Sequence, residues 1–288
     1  MNLVVSISGG ETSGFMGYTL NNSDLSKYET VNFVFANTGQ ENEETLNFID
    51  KLSRLLDVKI IWLESVTFQD RKSSGYKIVD FDSADRAGKV FYNMIKKYGI
   101  PNQAYPHCTR ELKNNPIAAW CVDNFGDEYE IAIGIRSDES NRVPKRNVYK
   151  TIYPLIEMDL SKDDVIDFWE SQYFRLGIEN YQGNCKWCWK KSARKLRLIS
   201  YENEDCLTFP DKMEKTEGLS GHNIDGNKRV FFRGNKSVVD ILNDRNLMMT
   251  SEEVYQHERK LIIDQYNRSV GGDCSQSCEA FSQDDFFN

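Results

Sequence analysis

Cys185-Lys186-Trp187-Cys188 is a Cys-x-x-Cys pair, preceded by Gly183-Asn184. Two thiols at this spacing can grip one metal ion or one pair of irons in a cluster. The chain has no second Cys-x-x-Cys, which argues against a zinc ribbon. Cys108, in Pro106-His107-Cys108-Thr109-Arg110-Glu111-Leu112-Lys113, is the best third ligand. A fourth could come from Cys206, Cys274, Cys278 or from nothing in the protein, and Cys278 completes the candidate set. An iron–sulfur cluster, a zinc ion, and a redox dithiol or inert thiols are the three readings. His107 is a candidate zinc ligand or proton donor, or a satisfied loop histidine. Cys121 falls beside Ile117 and Trp120 on the apolar side of a predicted helix and reads as core.

The second chemical segment is Ser8-Gly9-Gly10-Glu11-Thr12-Ser13. It follows a short apolar run and precedes a helical one. Such a turn aims backbone N–H groups at phosphate oxygens, and the helix N-terminus adds a favourable dipole. Gly9 and Gly10 permit positive φ and close approach. Ser8, Thr12 and Ser13 supply hydroxyls. Neither Gly-x-x-x-x-Gly-Lys-Ser/Thr nor Gly-x-Gly-x-x-Gly fits this spacing. By itself the hexapeptide reads equally well as a plain capped turn. Two further segments follow other predicted strands: Asn37-Thr38-Gly39-Gln40-Glu41, and Gly134-Ile135-Arg136-Ser137-Asp138-Glu139-Ser140 with Arg142. Arg136 and Arg142 can hold phosphate or sulfate in bidentate fashion. Asp138 and Glu139 could hold Mg²⁺, position a hydroxyl, or fix these arginines by salt bridges.

A third segment is basic. Lys190, Lys191, Arg194, Lys195 and Arg197 follow the cysteine pair with no acidic residue among them. They could receive a phosphorylated substrate or a nucleic-acid backbone, with Trp187 and Trp189 stacking on a base. The plainer reading is a solvated helix face over Leu196 and Ile199.

The positioning elements follow from hydrophobic period. Leu3–Ile7, Val31–Ala36, Val58–Leu63 and Tyr129–Ile135 read as buried strands, and 152–155 as a short extended piece. Helices are predicted over about 13–20, 43–56, 116–124 and 162–170. Strand–helix alternation of this kind predicts an α/β fold with a wound, mainly parallel, five-stranded sheet. Its loops would then converge on one carboxyl edge. The stretch 64–106 reads as less regular. Alternation stops near 172, so we expect a nucleotide-binding domain over 1–171 and a mostly helical, cysteine-containing subdomain over 172–288. Within the latter, 203–226 reads as polar, Arg229–Phe232 as a strand, and 237–242 and 251–266 as helices.

Hydrophobic residues make up 40% and charged residues 28% of the 288, values of a folded chain rather than a disordered one. The net charge of −8 excludes a global basic footprint for nucleic acid. No apolar run approaches the roughly 18–20 residues of a membrane span. With no export signal apparent, the seven cysteines are expected to be reduced in a cytoplasmic setting.

Ser8-Gly9-Gly10-x-Thr12-Ser13, Asn37-Thr38-Gly39 and Gly134-Ile135-Arg136-x-Asp138-Glu139-Ser140 together resemble the phosphoadenosine phosphosulfate reductase family. That family lies within the adenine nucleotide alpha-hydrolase (PP-loop) superfamily, and the resemblance spans roughly residues 1 to 200. It implies an adenine nucleotide, ATP or an adenylyl sulfate, with its phosphates on Ser8 to Ser13. Ser8, Gly9, Gly10, Thr12, Ser13, Asn37, Thr38, Gly39, Gly134 and Arg142 are the implied binding residues. Arg136, Asp138, Glu139 and Cys108 are the candidate catalytic ones. Sulfur-transfer relatives join a lone mid-chain cysteine to a later Cys-x-x-Cys around a [4Fe–4S] cluster, an arrangement resembled by Cys108, Cys185 and Cys188.

Many superfamily members cleave ATP, adenylate a substrate and transfer sulfur; others reduce an adenylyl sulfate. The ATP-cleaving pattern has Lys and Asp where Glu11 and Thr12 stand, and the reductase's Glu-Cys-Gly motif gives way here to Cys274-Ser275-Gln276-Ser277-Cys278-Glu279. The expected function is a reductase-like enzyme of sulfur chemistry. The alternatives are an adenylating iron–sulfur sulfurtransferase and an inactive nucleotide-binding module. Candidate partners are the anionic nucleotide, a nucleic acid on Lys190, Lys191, Arg194 and Lys195, and a second copy of the chain; no membrane is expected.

Overall fold

The computed structural model of the chain describes residues 1–70, 72–179, 181–221 and 226–268, the last four of these as helix backbone alone. The first strand, β1 (Asn2–Ile7), is buried along its whole length. Its alternate side chains serve two cores: Leu3, Val5 and Ile7 face one hydrophobic cluster, and Val4 faces another. That two-sided burial is why its sequence is continuously apolar rather than alternating.

Around β1 run β2 (Val31–Asn37), β3 (Ile60–Thr67), β4 (Ser74–Val79), β5 (Tyr129–Ala132) and β6 (Thr151–Ile152), in the sheet order β4-β3-β2-β1-β5-β6. All neighbours are parallel except β3 and β4, which are antiparallel. The fold is therefore α/β with a mixed, mostly parallel sheet of six strands rather than five. The extra strand is β4, inside the stretch read as less regular. Its pattern is inverted for a strand: Ser74 is buried while Ile78 is 61% exposed. As an edge strand with a polar residue turned inward, it carries little of the period-two signal.

Helices cover both faces. α1 (Glu11–Asn21), α2 (Glu43–Leu56) and α7 (Lys162–Glu170) pack on the first cluster through residues such as Phe15, Leu46, Ile49 and Trp169. Asp57, in the left-handed region at φ 52, ends α2. A reciprocal Ser161–Asp164 capping box opens α7. The opposite face is closed by α5 (Asn115–Phe125), which brings Ile117 and Trp120 onto Val4, Val34 and Ile131. Ahead of α5, the chain passes through α3 (Lys89–Tyr98), the three-residue α4 (His107–Thr109) and a π-helical turn, Arg110–Asn114. The short α6 (Pro154–Glu157) takes up residues expected to be extended.

A third cluster joins α3 to the later elements. α8 (Ala193–Glu202), α9 (Thr208–Glu217), α10 (Val238–Asn243) and α11 (Glu252–Arg268) contribute Leu196, Met213, Ile241 and Ile262, which pack with Phe91, Met94, Trp187 and Trp189. Two expectations change here. The segment taken as polar contains α9, whose Pro210 and Met213 are buried. Arg229–Phe232 is not a strand; Phe232 makes only an isolated bridge with Lys236. Arg229 turns back to donate to the Tyr98 carbonyl at 3.0 Å, and that demand overrides regular pairing. Among the described residues no helix is long and apolar enough to cross a membrane.

Candidate functional site

Strand order reverses at β1: β2 and β3 lie on one side, β5 and β6 on the other. In sheets of this type, ligand crevices form outside the carboxyl ends at such a reversal. Ser8–Ser13 leaves β1 there, and Gly134–Arg136 leaves β5 beside it.

The loop is held by its own hydroxyls. Ser13 Oγ donates to the Gly10 carbonyl (2.9 Å) and accepts from Ser8 N–H (3.0 Å). Ser8 Oγ lies 2.9 Å from Ser13 Oγ. Gly9 sits at φ +87, and a Cβ there would lie 2.5 Å from Thr45 Cγ2. Glycine is thus required for both backbone and space. Gly134 serves a different need. A Cβ there would lie 3.0 Å from Ser13 Cα, so the β5 end packs directly beneath the loop. α1 starts without a side-chain cap, and its first backbone bond runs from Gly14 N–H to the Gly10 carbonyl. The first-turn N–H groups therefore have no helical acceptor, which suits an anion.

Arg136 is 2% exposed and makes two bonds to Asp138, Nε at 2.9 Å and Nη2 at 3.0 Å. Its Nη1 donates to Thr12 Oγ1 (3.3 Å) and lies 3.4 Å from Glu139 Oε2. Glu139 also accepts from Arg142 at 2.9 Å. The guanidinium thereby ties Thr12 to the 136–142 segment. Burial acts to raise the Asp138 carboxyl, but the hydrogen bonds and charge of Arg136 outweigh it and hold the group below its ordinary 3.8. Glu11 turns away to Arg175, with both oxygens bonded at 3.0 Å, while its carbonyl accepts from Trp169 Nε1 (2.8 Å). Its negative charge is therefore matched by a cation that sequence reasoning did not connect to it.

Asn37 Nδ2 donates to Glu64 (2.8 Å) and to the Asp85 carbonyl (2.9 Å), tying β2 to its neighbours. The following turn is organised by Glu41, a buried carboxylate that accepts from Thr38 N–H (3.0 Å) and Thr38 Oγ1 (2.8 Å). Gly39 N–H closes the turn onto Asn37 Oδ1 at 3.2 Å.

Cys108, Cys185 and Cys188 are half-buried and line one pocket with Thr38, Gln40, Lys113, Trp187 and Trp189. Trp189 Nε1 donates to Cys108 Sγ at 3.4 Å. Among the described residues, no three His, Cys, Asp or Glu side chains are gathered closely enough to hold one ion. Cys206 and Cys121 are buried elsewhere, and burial pushes both thiols up to about 12. Cys206 is thus a core residue rather than a fourth lining thiol; Cys274 and Cys278 lie outside the described residues. His107 is buried and held neutral, its pKa pushed down to about 4 chiefly by burial, with Nε2–H donating to the Gly99 carbonyl at 3.0 Å.

The basic segment is not a solvated face. Lys190, Lys191 and Lys195 are all buried, Lys191 Nζ donates to the Cys185 carbonyl (2.6 Å), and Arg194 pairs with Glu258 of α11. Trp187 stacks on Phe209 at 5.7 Å and is inside the third cluster, so neither the lysines nor this ring forms an open surface for a nucleic acid.

No protein-family model matches the chain. It is 31% identical over 284 residues to the uncharacterized nin region protein ORF290 of Escherichia phage lambda, covering 96% of this chain and 94% of that protein. The chain belongs to the ORF290 family. A second relative, the uncharacterized protein MJ0066 of Methanocaldococcus jannaschii, is 29% identical over 152 residues, 52% of this chain and 26% of its own length. In this ORF290-family protein, Lys113, one of two basic residues that follow Cys108 in the sequence, takes a definite place. That lysine is 5% exposed and lines two spaces: the cysteine pocket, and a small cavity bounded by Ser6, Ile7, Ser8, Ala36 and Ile117. It stands five residues after Cys108, in a segment whose helix widens into a π-turn.

Proposed function

We propose that the chain binds an adenine nucleotide at the carboxyl edge between β1 and β5 and acts on it in sulfur chemistry, as a phosphoadenosine phosphosulfate reductase-like enzyme. The observation that carries this reading is Lys113, a buried residue that lines both the cysteine pocket and the cavity beside Ser8. An anionic group on the loop and a thiol in the pocket would share that cation. The first turn of α1 receives phosphate through backbone N–H groups, and Arg136 keeps Thr12 in register beneath it. Asn37, Thr38 and Gly39 form the wall on the β2 side.

Cys108, Cys185 and Cys188 line the pocket, with an indole N–H on Cys108 Sγ; too far apart to hold one ion, they supply the soft donors of a cluster of several irons. A [4Fe–4S] cluster there would supply electron or sulfide exchange. The chain's own residues exclude water through Trp187, Trp189 and Phe91, and Lys113 stabilises negative charge facing the thiols.

One observation favours a second reading, ATP-dependent sulfur transfer. Arg175 neutralises Glu11, so the loop does not set an unpaired carboxylate against a triphosphate. Titrating ATP and adenosine 5′-phosphosulfate separately into anaerobically purified protein, with a dithiol supplied as the two-electron donor, tests both. Saturable binding with release of sulfite supports the reductase reading, and release of pyrophosphate supports sulfur transfer. Binding without either product makes the chain a nucleotide-binding module, and no binding removes the proposal.

A further inference from the structure

Four contacts stitch the loop before the cysteine pair to the nucleotide edge. Asn184, which immediately precedes Cys185, is buried and donates from Nδ2 to the Ser8 carbonyl at 2.9 Å. Its own carbonyl accepts from Asn42 N–H (2.9 Å), and Asn42 Nδ2 donates to the Gly183 carbonyl (2.8 Å). Lys186 N–H donates to the Gln40 carbonyl at 3.0 Å, closing a bridge between Glu41 and Cys185. The segment carrying the thiols is thus an added rung on the β2 turn.

The Ser8 contact has a specific consequence. A trans peptide is planar, with its C=O and N–H on opposite sides. Holding the Ser8 carbonyl on Asn184 therefore aims the Gly9 N–H the other way. Any ligand that pulls on Gly9 N–H rotates this plane and acts on the Asn184 side chain. Gly9, at φ +87 against Thr45, has little other freedom to absorb that movement.

We propose that Asn184 is a positioning residue that couples nucleotide occupancy at Ser8–Ser13 to the setting of Cys185 and Cys188. The inference rests on the nucleotide reading above. It makes the thiol segment responsive to the ligand through one side-chain amide, without the ligand touching a cysteine. Because coupling between sites is reciprocal in binding free energy, a ligand on the thiols also changes nucleotide affinity.

Peptide-resolved hydrogen exchange on the full chain, with ATP or adenosine 5′-phosphosulfate titrated in, tests it. In the unaltered protein either bound nucleotide should slow exchange both in 8–13 and in 183–188. For the second segment the expected change is about fivefold or more, the lower end of ordinary coupling between sites. Asn184→Ala and the isosteric Asn184→Asp both remove the donor to Ser8. Each should keep protection of 8–13 on binding and lose the response of 183–188. The ligand-induced difference is read within each protein, so a general loss of stability does not imitate it. Binding that leaves 183–188 unchanged in the unaltered protein overturns the coupling alone, as does a response retained in both variants. Absence of binding by either nucleotide, read by calorimetry, overturns the nucleotide reading and the coupling with it.

Discussion

The two halves of the candidate site are built by opposite means. The phosphate-loop half is polar and lies on a sheet edge: Ser13 is bonded to Ser8 and Gly10, and Arg136 ties Thr12 to Asp138 and Glu139. The cysteine half is an aromatic and aliphatic enclosure, in which Trp187 and Trp189 wall three thiols. The first fixes geometry by directed bonds and tolerates no missing partner. The second fixes it by volume. The contrast predicts that single polar deletions will be costly at the loop and felt mainly through binding at the pocket.

The largest effect should come from Arg136→Met. It takes the bidentate partner from the half-buried Asp138 and leaves the buried Glu139 with Arg142 alone, and a buried pair that loses one partner costs about 3–5 kcal/mol. Urea unfolding should show this as a lower midpoint with an unchanged slope. A loss below about 1 kcal/mol would mean that the network is not the cooperative unit its geometry implies.

Lys113→Met should behave differently. The side-chain volume is kept, and ATP binding should weaken by roughly tenfold to a hundredfold, the worth of one charge-assisted hydrogen bond, out of proportion to any loss of stability. Calorimetry beside unfolding separates the two. Equal losses in both would place Lys113 with the structural ties of the loop half.

Acid should also reach the loop half. The folded carboxyl of Asp138 titrates below its unfolded value of 3.8. Its stabilisation is therefore fully present above that pH and is lost as pH falls through the folded pKa. Asp138→Asn should flatten this part of the acid unfolding curve. An unchanged acid dependence in the variant would show that the bidentate bond with Arg136 contributes nothing to it.

The smallest effect belongs to Glu11→Gln. Its partner Arg175 is 44% exposed, and such pairs contribute about 0–1 kcal/mol. A loss of several kcal/mol would extend the tightly wired region beyond the crevice.

The same contrast explains what could be read from the sequence. The wound sheet, the loop after β1 and the convergence of the β2 and β5 ends are legible because hydrophobic period and strand–helix alternation are local signals. β4 escaped because its polar Ser74 faces inward to Glu111, and α9 because its polar face dominates its composition. The lysines after Cys188 read as either an anion-binding segment or a solvated face because sequence carries charge but not burial. Lys191 is inside because the Cys185 carbonyl receives its ammonium. Arg136 offered two roles, and only coordinates reveal that Asp138 and Thr12 take up its donors. The pairing of Asn184 with Ser8 has no sequence signal, since nothing local links residues 176 positions apart.

That separation reaches back to how the chain is made. β1 and its loop emerge first, yet the acceptor at Ser8 waits for a donor 176 residues later. At synthesis rates of about 5–20 residues per second, the nascent loop spends roughly 10–35 s without it. Throughout that interval the Gly9 peptide has no Asn184 to orient it, and the thiol segment does not yet exist. A chain released early would carry the phosphate loop in sequence but without its final clasp, so arrival of residue 184 marks when the two halves of the crevice can first act together.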